Sequence, residues 1–171
     1  DSSTSRGLGD VYKRQLKGSV KNSPTIKNIE NVSLTSYGDH SLNLGKVTEL
    51  EYILSQQSLG KITLNNLTDA STVFGFSGNG INSTILTSND LGGSSDILKL
   101  HLVEASNVSF QAPLGYEEIE IELIGSSSLS YLLANGVSTA SVSGSGDLVI
   151  DLDFKALNSF SSKSLNGGLI G

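Results

Sequence analysis

The amino-acid sequence predicts an all-β protein, and three observations lead to this fold class. From Ile26 onward apolar and polar residues alternate with a period of two, which places them on opposite faces of a strand. Short stretches rich in Gly, Asn and Asp separate these segments and supply the positive φ angles that tight turns need. Helical spacing is nearly absent, and only residues 47–59 fit a short helix as well as a strand.

Five segments alternate most clearly, and each is predicted to be a half-buried strand. Their apolar residues are, in chain order, Val32 and Leu34; Ile62 and Leu64; Leu98, Leu100 and Leu102; Ile119, Ile121 and Leu123; and Leu148, Ile150, Leu152 and Phe154. Turn residues lie between them at 37–39, 78–80, 89–93 and 144–147. This pattern favours a parallel β-solenoid in which Leu, Ile and Val stack inside, and the alternative is an antiparallel β-sandwich.

The chain of 171 residues is predicted to consist of a tail and one solenoid segment. Residues 5–15 resemble translated sequencing-adapter sequence, so residues 1–15 are interpreted as a non-native or disordered tail and residues 16–171 as the solenoid. A faint match of 30–34 with 117–121 suggests two degenerate repeats, about 26–113 and 114–171, the second incomplete. Alternating strands also align by chance. The sequence is interpreted as an internal fragment of a longer protein.

Composition and charge exclude several classes of function. The 11 Lys and Arg residues against 17 Asp and Glu give a net charge of -6, which disfavours binding to nucleic-acid phosphates. The absence of Cys excludes disulfides, thiol nucleophiles and Cys-ligated metal centres. No apolar run approaches the roughly 18 residues of a membrane span. Ser, Thr and Asn make up roughly a third of the chain, far above usual usage, and suit a hydrated exterior surface.

Polar residues in two segments are candidate calcium ligands, because calcium binds carboxylate, amide and carbonyl oxygens on flexible loops. The candidates are Asn89, Asp90 and Asp96 in one loop, and Asp147, Asp151 and Asp153 on the polar face of one strand. The alternatives are an ordinary Asx-rich turn and a solvated face that discourages edge pairing. Alternate strand residues lie about 7 Å apart, a spacing that also suits inverting glycosidases. No positioned base, aromatic platform or Arg accompanies these carboxylates, so no catalytic residue is predicted.

Four glutamates make up another acidic face on one predicted strand. They are Glu117, Glu118, Glu120 and Glu122. If this strand stacks beside the Asp strand, the like charges repel unless a cation lies between them, and the alternative is again a solvated face. The only histidines are His40 and His101, and His101 lies on the outward face of its strand beside Lys99. Without a second positioned His or any Cys, a zinc site is disfavoured.

Several segments resemble bacterial surface-layer proteins, which are large, Cys-free, rich in Ser, Thr and Asn, exported by type I secretion and related to RTX adhesins. The segments are Lys27–Leu34, Ser95–Leu102, Glu117–Ile121, Gly144–Ile150 and Leu165–Leu169. The resemblance implies a β-solenoid, often calcium-bound, that tiles the cell surface as a lattice. Residues 92–98 only partly match the calcium-binding nonapeptide, because Ser95 replaces its third Gly. Isolated calcium sites are therefore expected rather than regular calcium rolls.

The expected function is structural and not enzymatic. The sequence predicts a segment of a secreted cell-surface protein, of surface-layer or adhesin type, that associates laterally with itself, with calcium as the candidate bridging ion. A cell-surface polysaccharide is a further candidate partner, whereas nucleic acid and membrane insertion are not expected. The alternatives are a carbohydrate-active β-helix enzyme, which needs a groove with aromatic platforms and converging carboxylates, and a glycan-binding adhesin module.

Overall fold

The computed structural model of the chain describes residues 11–16, 29–80, 82–87, 93, 95–112, 115–150 and 159–170. Every regular element in these residues is a β-strand, so the predicted all-β class is confirmed. The strands are β1 (Val11–Leu16), β2 (Asn31–Ser36), β3 (His40–Asn43), β4 (Tyr52–Gln56), β5 (Ile62–Asn65), β6 (Val73–Asn79), β7 (Ser83–Thr87), β8 (Ile97–Ser106), β9 (Val108–Ala112), β10 (Glu118–Ile124), β11 (Ser127–Ala134), β12 (Thr139–Ser145), β13 (Leu148–Ile150), β14 (Ser159–Asn166) and β15 (Leu169–Ile170).

These strands form two parallel sheets, which the chain visits alternately. Sheet A has the order β1-β2-β4-β6-β8-β10-β12-β14, and sheet B has the order β3-β5-β7-β9-β11-β13-β15. From β2 onward each strand inside a sheet pairs with the strand one turn earlier and one turn later, and the end strands β3, β14 and β15 pair on one side, which is the connectivity of a parallel β-solenoid. The predicted solenoid is confirmed. The β-sandwich alternative is wrong, because every pairing between the described strands is parallel.

One turn of the solenoid is called a rung, and the strand pairing gives it a usual length of 21 residues. Asn31 pairs with Tyr52, and Tyr52 pairs in turn with Val73. Several hydrogen bonds between adjacent rungs likewise connect residues that are 21 positions apart. The rung from Val73 to its partner Lys99 is longer, because the connection between β7 and β8 is longer. Residues 47–59, which fit either a helix or a strand, contain β4.

Two predictions of chain organisation remain predictions. β1 pairs with β2 in sheet A, so part of the predicted tail 1–15 lies in a strand, while the origin of that tail is not tested. The smallest repeat of the backbone is the rung. The larger division into 26–113 and 114–171 groups several rungs in each half, and the pairing neither supports nor opposes it.

The core consists of apolar side chains stacked at the same position of successive rungs. One such ladder in sheet A is at most 3% exposed throughout and runs through Val32, Ile53, Phe74, Leu100, Ile121 and Val142. Phe110 of sheet B packs on Phe74, with 5.0 Å between ring centroids, so the two sheets bury their inner faces against each other. Full burial of one such side chain contributes about 1.5–3 kcal/mol, which makes these ladders the main source of stability.

In several sheet A strands, a residue near the C-terminal end of the strand or directly after it has left-handed backbone. These residues are Gln57 (φ 47°), Gly78 (φ 73°), Glu104 (φ 45°), Gly125 (φ 77°) and Gly146 (φ 108°). They lie above one another, because a Cβ on Gly125 would be 2.6 Å from Cγ of Glu104. The left-handed conformation costs a residue with a side chain about 1–2 kcal/mol, so the stacking of rungs imposes this turn on Gln57 and Glu104.

We expect Gly144→Ala to destabilise the solenoid strongly. Gly144 has φ 103°, and a Cβ there would overlap the Leu123 carbonyl oxygen in the neighbouring strand. The strain and the overlap together should lower the free energy of unfolding by at least about 2 kcal/mol, measured by urea denaturation followed by circular dichroism. Gly38→Ala is the control, because a Cβ at Gly38 has no heavy atom within 4 Å. Equal stability of the two variants would contradict this prediction.

Candidate functional site

A groove with several ionisable side chains crosses the outer face of sheet A, from β6 to β12. Its volume is about 210 Å³. The lining residues that point outward from the sheet are Val73, Lys99, His101, Glu120, Glu122, Ser141 and Ser143. They occupy alternate strand positions, because the residues between them, such as Leu100 and Ile121, point into the core. The same alternation that builds the core therefore gathers these side chains on one surface.

The register between rungs decides which groove residues are neighbours. Glu120 is paired with Lys99 and Glu122 with His101 in β8, and each glutamate has a serine as its partner in β12. Neighbouring strands lie about 5 Å apart, and alternate residues of one strand lie about 7 Å apart. The groove thus contains a Lys–Glu–Ser row beside a His–Glu–Ser row, with the two carboxylates on the same strand.

Tyr52 reaches across a rung to the groove histidine. Its hydroxyl lies 3.0 Å from Nδ1 of His101, a hydrogen bond in which the donor depends on the histidine tautomer. Gly75, the partner of His101 in β6, allows this approach, because a Cβ there would overlap the Tyr52 hydroxyl. Burial raises the pKa of Tyr52, and the negative charge of Glu122 raises it further. The phenol is therefore held in its neutral, hydrogen-bonding form.

The second ring nitrogen of His101 is an unused hydrogen-bonding group. Nε2 is buried and has no hydrogen-bond partner among the described residues. When Tyr52 donates to Nδ1, Nε2 carries the proton and is a donor; in the other tautomer it is an acceptor. A buried polar atom without a partner costs about 1–3 kcal/mol, and Nε2 is enclosed by protein atoms rather than open to the groove. The groove itself offers a ligand the carboxylates of Glu120 and Glu122, the ammonium group of Lys99 and the hydroxyls of Ser141 and Ser143.

The predicted calcium loop contributes one described residue, Asp96, at the corner before β8. Its N–H donates to Oε2 of Glu117 at 2.8 Å, and its carbonyl accepts from the Glu117 N–H at 3.0 Å. Its carboxylate oxygen Oδ2 is buried without a hydrogen-bond partner in the described part of the chain, and so is the Tyr116 hydroxyl. Burial raises the pKa of Tyr116, and the charges of Asp96 and Asp69 raise it further.

The other described calcium candidate, Asp147, lies apart from Asp96. Asp147 precedes β13 of sheet B, and its carboxylate accepts a hydrogen bond from the Gly168 N–H at 2.6 Å. Four further candidates lie outside the described residues, namely Asn89, Asp90, Asp151 and Asp153. In the described ranges, no group of three or more His, Cys, Asp or Glu side chains could hold a metal ion. Calcium binding therefore stays a prediction.

Among the described residues, the strand with the glutamates does not lie beside the segment that contains Asp147. β10 lies between β8 and β12 in sheet A, whereas β13 belongs to sheet B. Glu120 and Glu122 are consequently beside Lys99 and His101 rather than beside the carboxylate of Asp147. The expected stacking of the two acidic segments is therefore not met at Asp147, and Asp151 and Asp153 lie outside the described residues. Alternation predicts which way the side chains point and not which strand lies alongside.

No protein-family model matches the chain, and neither a curated protein nor a solved structure matches it. The described residues contain no helix that is long and apolar enough to cross a membrane. The evidence for the groove is therefore its geometry.

Sequence reasoning missed the grouping of Tyr52, His101 and Glu122, because Tyr52 is far from His101 along the chain. The available signal was the rung spacing, since Glu122 follows His101 by the same interval at which Tyr52 follows Asn31.

We expect stability to fall as the pH rises above about 10. Tyr52 and Tyr116 have folded-state pKa values above the ordinary value of about 10. Their contribution to the free energy of unfolding is therefore complete below that pH. It is lost as the pH rises through the folded-state pKa values. Urea unfolding between pH 8 and strongly alkaline conditions measures this loss.

The Tyr116→Phe variant tests the source of this pH dependence. It removes a titrating hydroxyl that is buried without a described partner, so it should be at least as stable as the wild type at pH 8 and lose less stability in alkali. Tyr131→Phe is the control, because Tyr131 is 39% exposed on the other sheet. Identical alkaline profiles for the two variants would refute the assignment to Tyr116.

Proposed function

We propose that the chain is a structural segment of a secreted cell-surface protein, of surface-layer or adhesin type, that acts through the side faces of its solenoid. The proposal rests chiefly on the β-solenoid fold, in which successive rungs present outward positions in register on two long sheets. The resemblance of several segments to surface-layer proteins supports it, as do the absence of Cys and the abundance of Ser, Thr and Asn.

The outer face of sheet B supports a role in contacts, because side-chain hydrogen bonds already order part of it. The amide nitrogen of Asn65 donates to the Ser41 hydroxyl, and its amide oxygen accepts from the Thr87 hydroxyl. This chain of bonds connects three successive rungs. Side chains that are ordered before association lose less conformational entropy when a second surface covers them.

An exposed apolar corner is the candidate surface for lateral self-association. Tyr37 is 53% exposed and Leu59 is 54% exposed. They lie in adjacent rungs at the same corner, where the Leu59 N–H donates to the Ser36 carbonyl at 2.7 Å. Adjacent large apolar side chains in contact with water suit burial against a second copy of the chain.

We expect the full chain to associate as its concentration rises, as measured by sedimentation velocity and by electron microscopy of negatively stained samples. Leu59→Ser should weaken association about tenfold, equivalent to about 1.4 kcal/mol, because it removes an apolar contact. Val149→Ser is the control, since Val149 is 46% exposed in β13, several rungs away both from this corner and from the ordered row at Asn65. A chain that stays monomeric at its highest soluble concentration would refute the lateral-association proposal.

Calcium is proposed as a ligand at the corner before β8. Oδ2 of Asp96 has no described hydrogen-bond partner, and the Glu117 carboxylate contacts the Asp96 backbone. Calcium takes six to eight oxygen ligands, so backbone carbonyls and water would supply the remainder. This arrangement favours Asp96 over Asp147, whose carboxylate already accepts a backbone hydrogen bond.

We expect millimolar calcium to raise the thermal midpoint of the full chain relative to chelator, measured by circular dichroism. At 100 times the dissociation constant, binding to the folded state alone adds about 2.7 kcal/mol, which corresponds to several degrees. Asp96→Asn should abolish the shift. Asp39→Asn should keep it, because Asp39 is exposed and an Asn there still accepts from the Lys61 N–H. An unchanged wild-type midpoint would overturn the calcium site and leave self-association to its own test.

A further inference from the structure

We propose that the groove on the outer face of sheet A binds an amino sugar. The ring hydroxyls would bond to Ser141 and Ser143, the sugar ring would lie against His101, and the ammonium group would lie against Glu122 and Glu120. This site adds a ligand to the structural role and requires neither self-association nor calcium. Its position also differs from the apolar corner at Tyr37 and Leu59, so the two surfaces can be tested separately.

The size of the groove suits one sugar ring. Its volume of about 210 Å³ is below the roughly 300–1,000 Å³ of pockets for drug-sized ligands. The side chain of Val73 gives one wall an apolar character, while the other outward side chains of the lining are polar. A single ring with an apolar face and polar substituents matches such a lining, whereas a larger apolar ligand does not.

The charges of the groove select for a cationic group. Lys99 is paired with Glu120, whereas the register partners of Glu122 are His101 and a serine. Two carboxylates against one ammonium leave the groove negative, which repels a sugar acid and attracts an amine. Because Glu120 and Glu122 lie about 7 Å apart on one face, a ligand ammonium between them can contact both.

The hydrogen-bonding groups of the groove select for hydroxyls beside that amine. Ser141 and Ser143 line the groove, and the hydroxyl of each can donate to or accept from a sugar hydroxyl. Tyr52 is a positioning residue, because its hydroxyl at 3.0 Å from Nδ1 holds the orientation of the histidine ring. An amino sugar combines amine and hydroxyls on one rigid ring, which limits the entropy lost on binding.

Calorimetric titration of the full chain with four oligomers tests the proposal. The probes are a β-1,4-linked glucosamine tetramer, the matching glucose tetramer, a galacturonic acid tetramer and a lysine tetrapeptide, which carries amines without sugar hydroxyls. We expect the glucosamine tetramer to bind at least tenfold more tightly than each of the others. The titration is made at a concentration where sedimentation shows monomer, so a failure of self-association does not affect the result.

Variants connect the binding to the groove. Glu122→Gln and His101→Ala should each weaken glucosamine binding at least tenfold, and Tyr52→Phe should weaken it less. Glu104→Gln is the matched control, because it makes the same charge change at an exposed corner outside the groove lining. A thermal midpoint close to that of the wild type shows that a variant is folded. If Glu122→Gln does not fold, Glu120→Gln takes its place.

Three outcomes would overturn the proposal. One is no detectable binding of the glucosamine tetramer. Another is equal binding of the glucosamine tetramer and the lysine tetrapeptide, which would indicate attraction by charge alone. The third is an affinity that Glu122→Gln and His101→Ala leave unchanged, which would place the binding elsewhere on the chain.

Discussion

The parallel register between rungs is the constraint on which the rest of the structure depends. Each strand bonds to the strand one turn earlier and one turn later, so residues one rung apart in the sequence become neighbours in space. The apolar ladder through Phe74 and Leu100, the left-handed corner residues and the groove are all consequences of this pairing. A shift of the pairing register by one residue would turn every side chain of a strand to the opposite face. Core and surface residues would then be exchanged in that rung.

The fold was largely predictable from the sequence, because alternation is a local property. The segment around Leu98, Leu100 and Leu102 shows by itself that it is a strand with one buried face, and all three side chains are buried. Register is not local. The connection between β7 and β8 makes one rung longer than its neighbours, so no constant period predicts that Gly75 lies beside His101 and brings Tyr52 within reach of it.

The groove was harder to predict than the core because it depends on small residues as well as on charged ones. Nothing in the local sequence indicates that Gly75 leaves space for Tyr52 to contact a histidine two strands away in the sheet. The left-handed turns at Gln57 and Glu104 are similarly hidden, since neither residue favours that conformation. Residues 144–147 are different, because glycine readily adopts positive φ angles and its presence there predicts them. Gly144 and Gly146 do have positive φ angles.

The hydrogen bonds between rungs run along the solenoid axis, and this direction has a mechanical consequence. Tension applied along the axis would load the rungs in series and separate them one at a time. Each released rung would replace a spacing of about 5 Å with about 70 Å of extended chain. Such a segment would resist small forces as a stiff rod and would lengthen in steps under large ones, with work absorbed at each step.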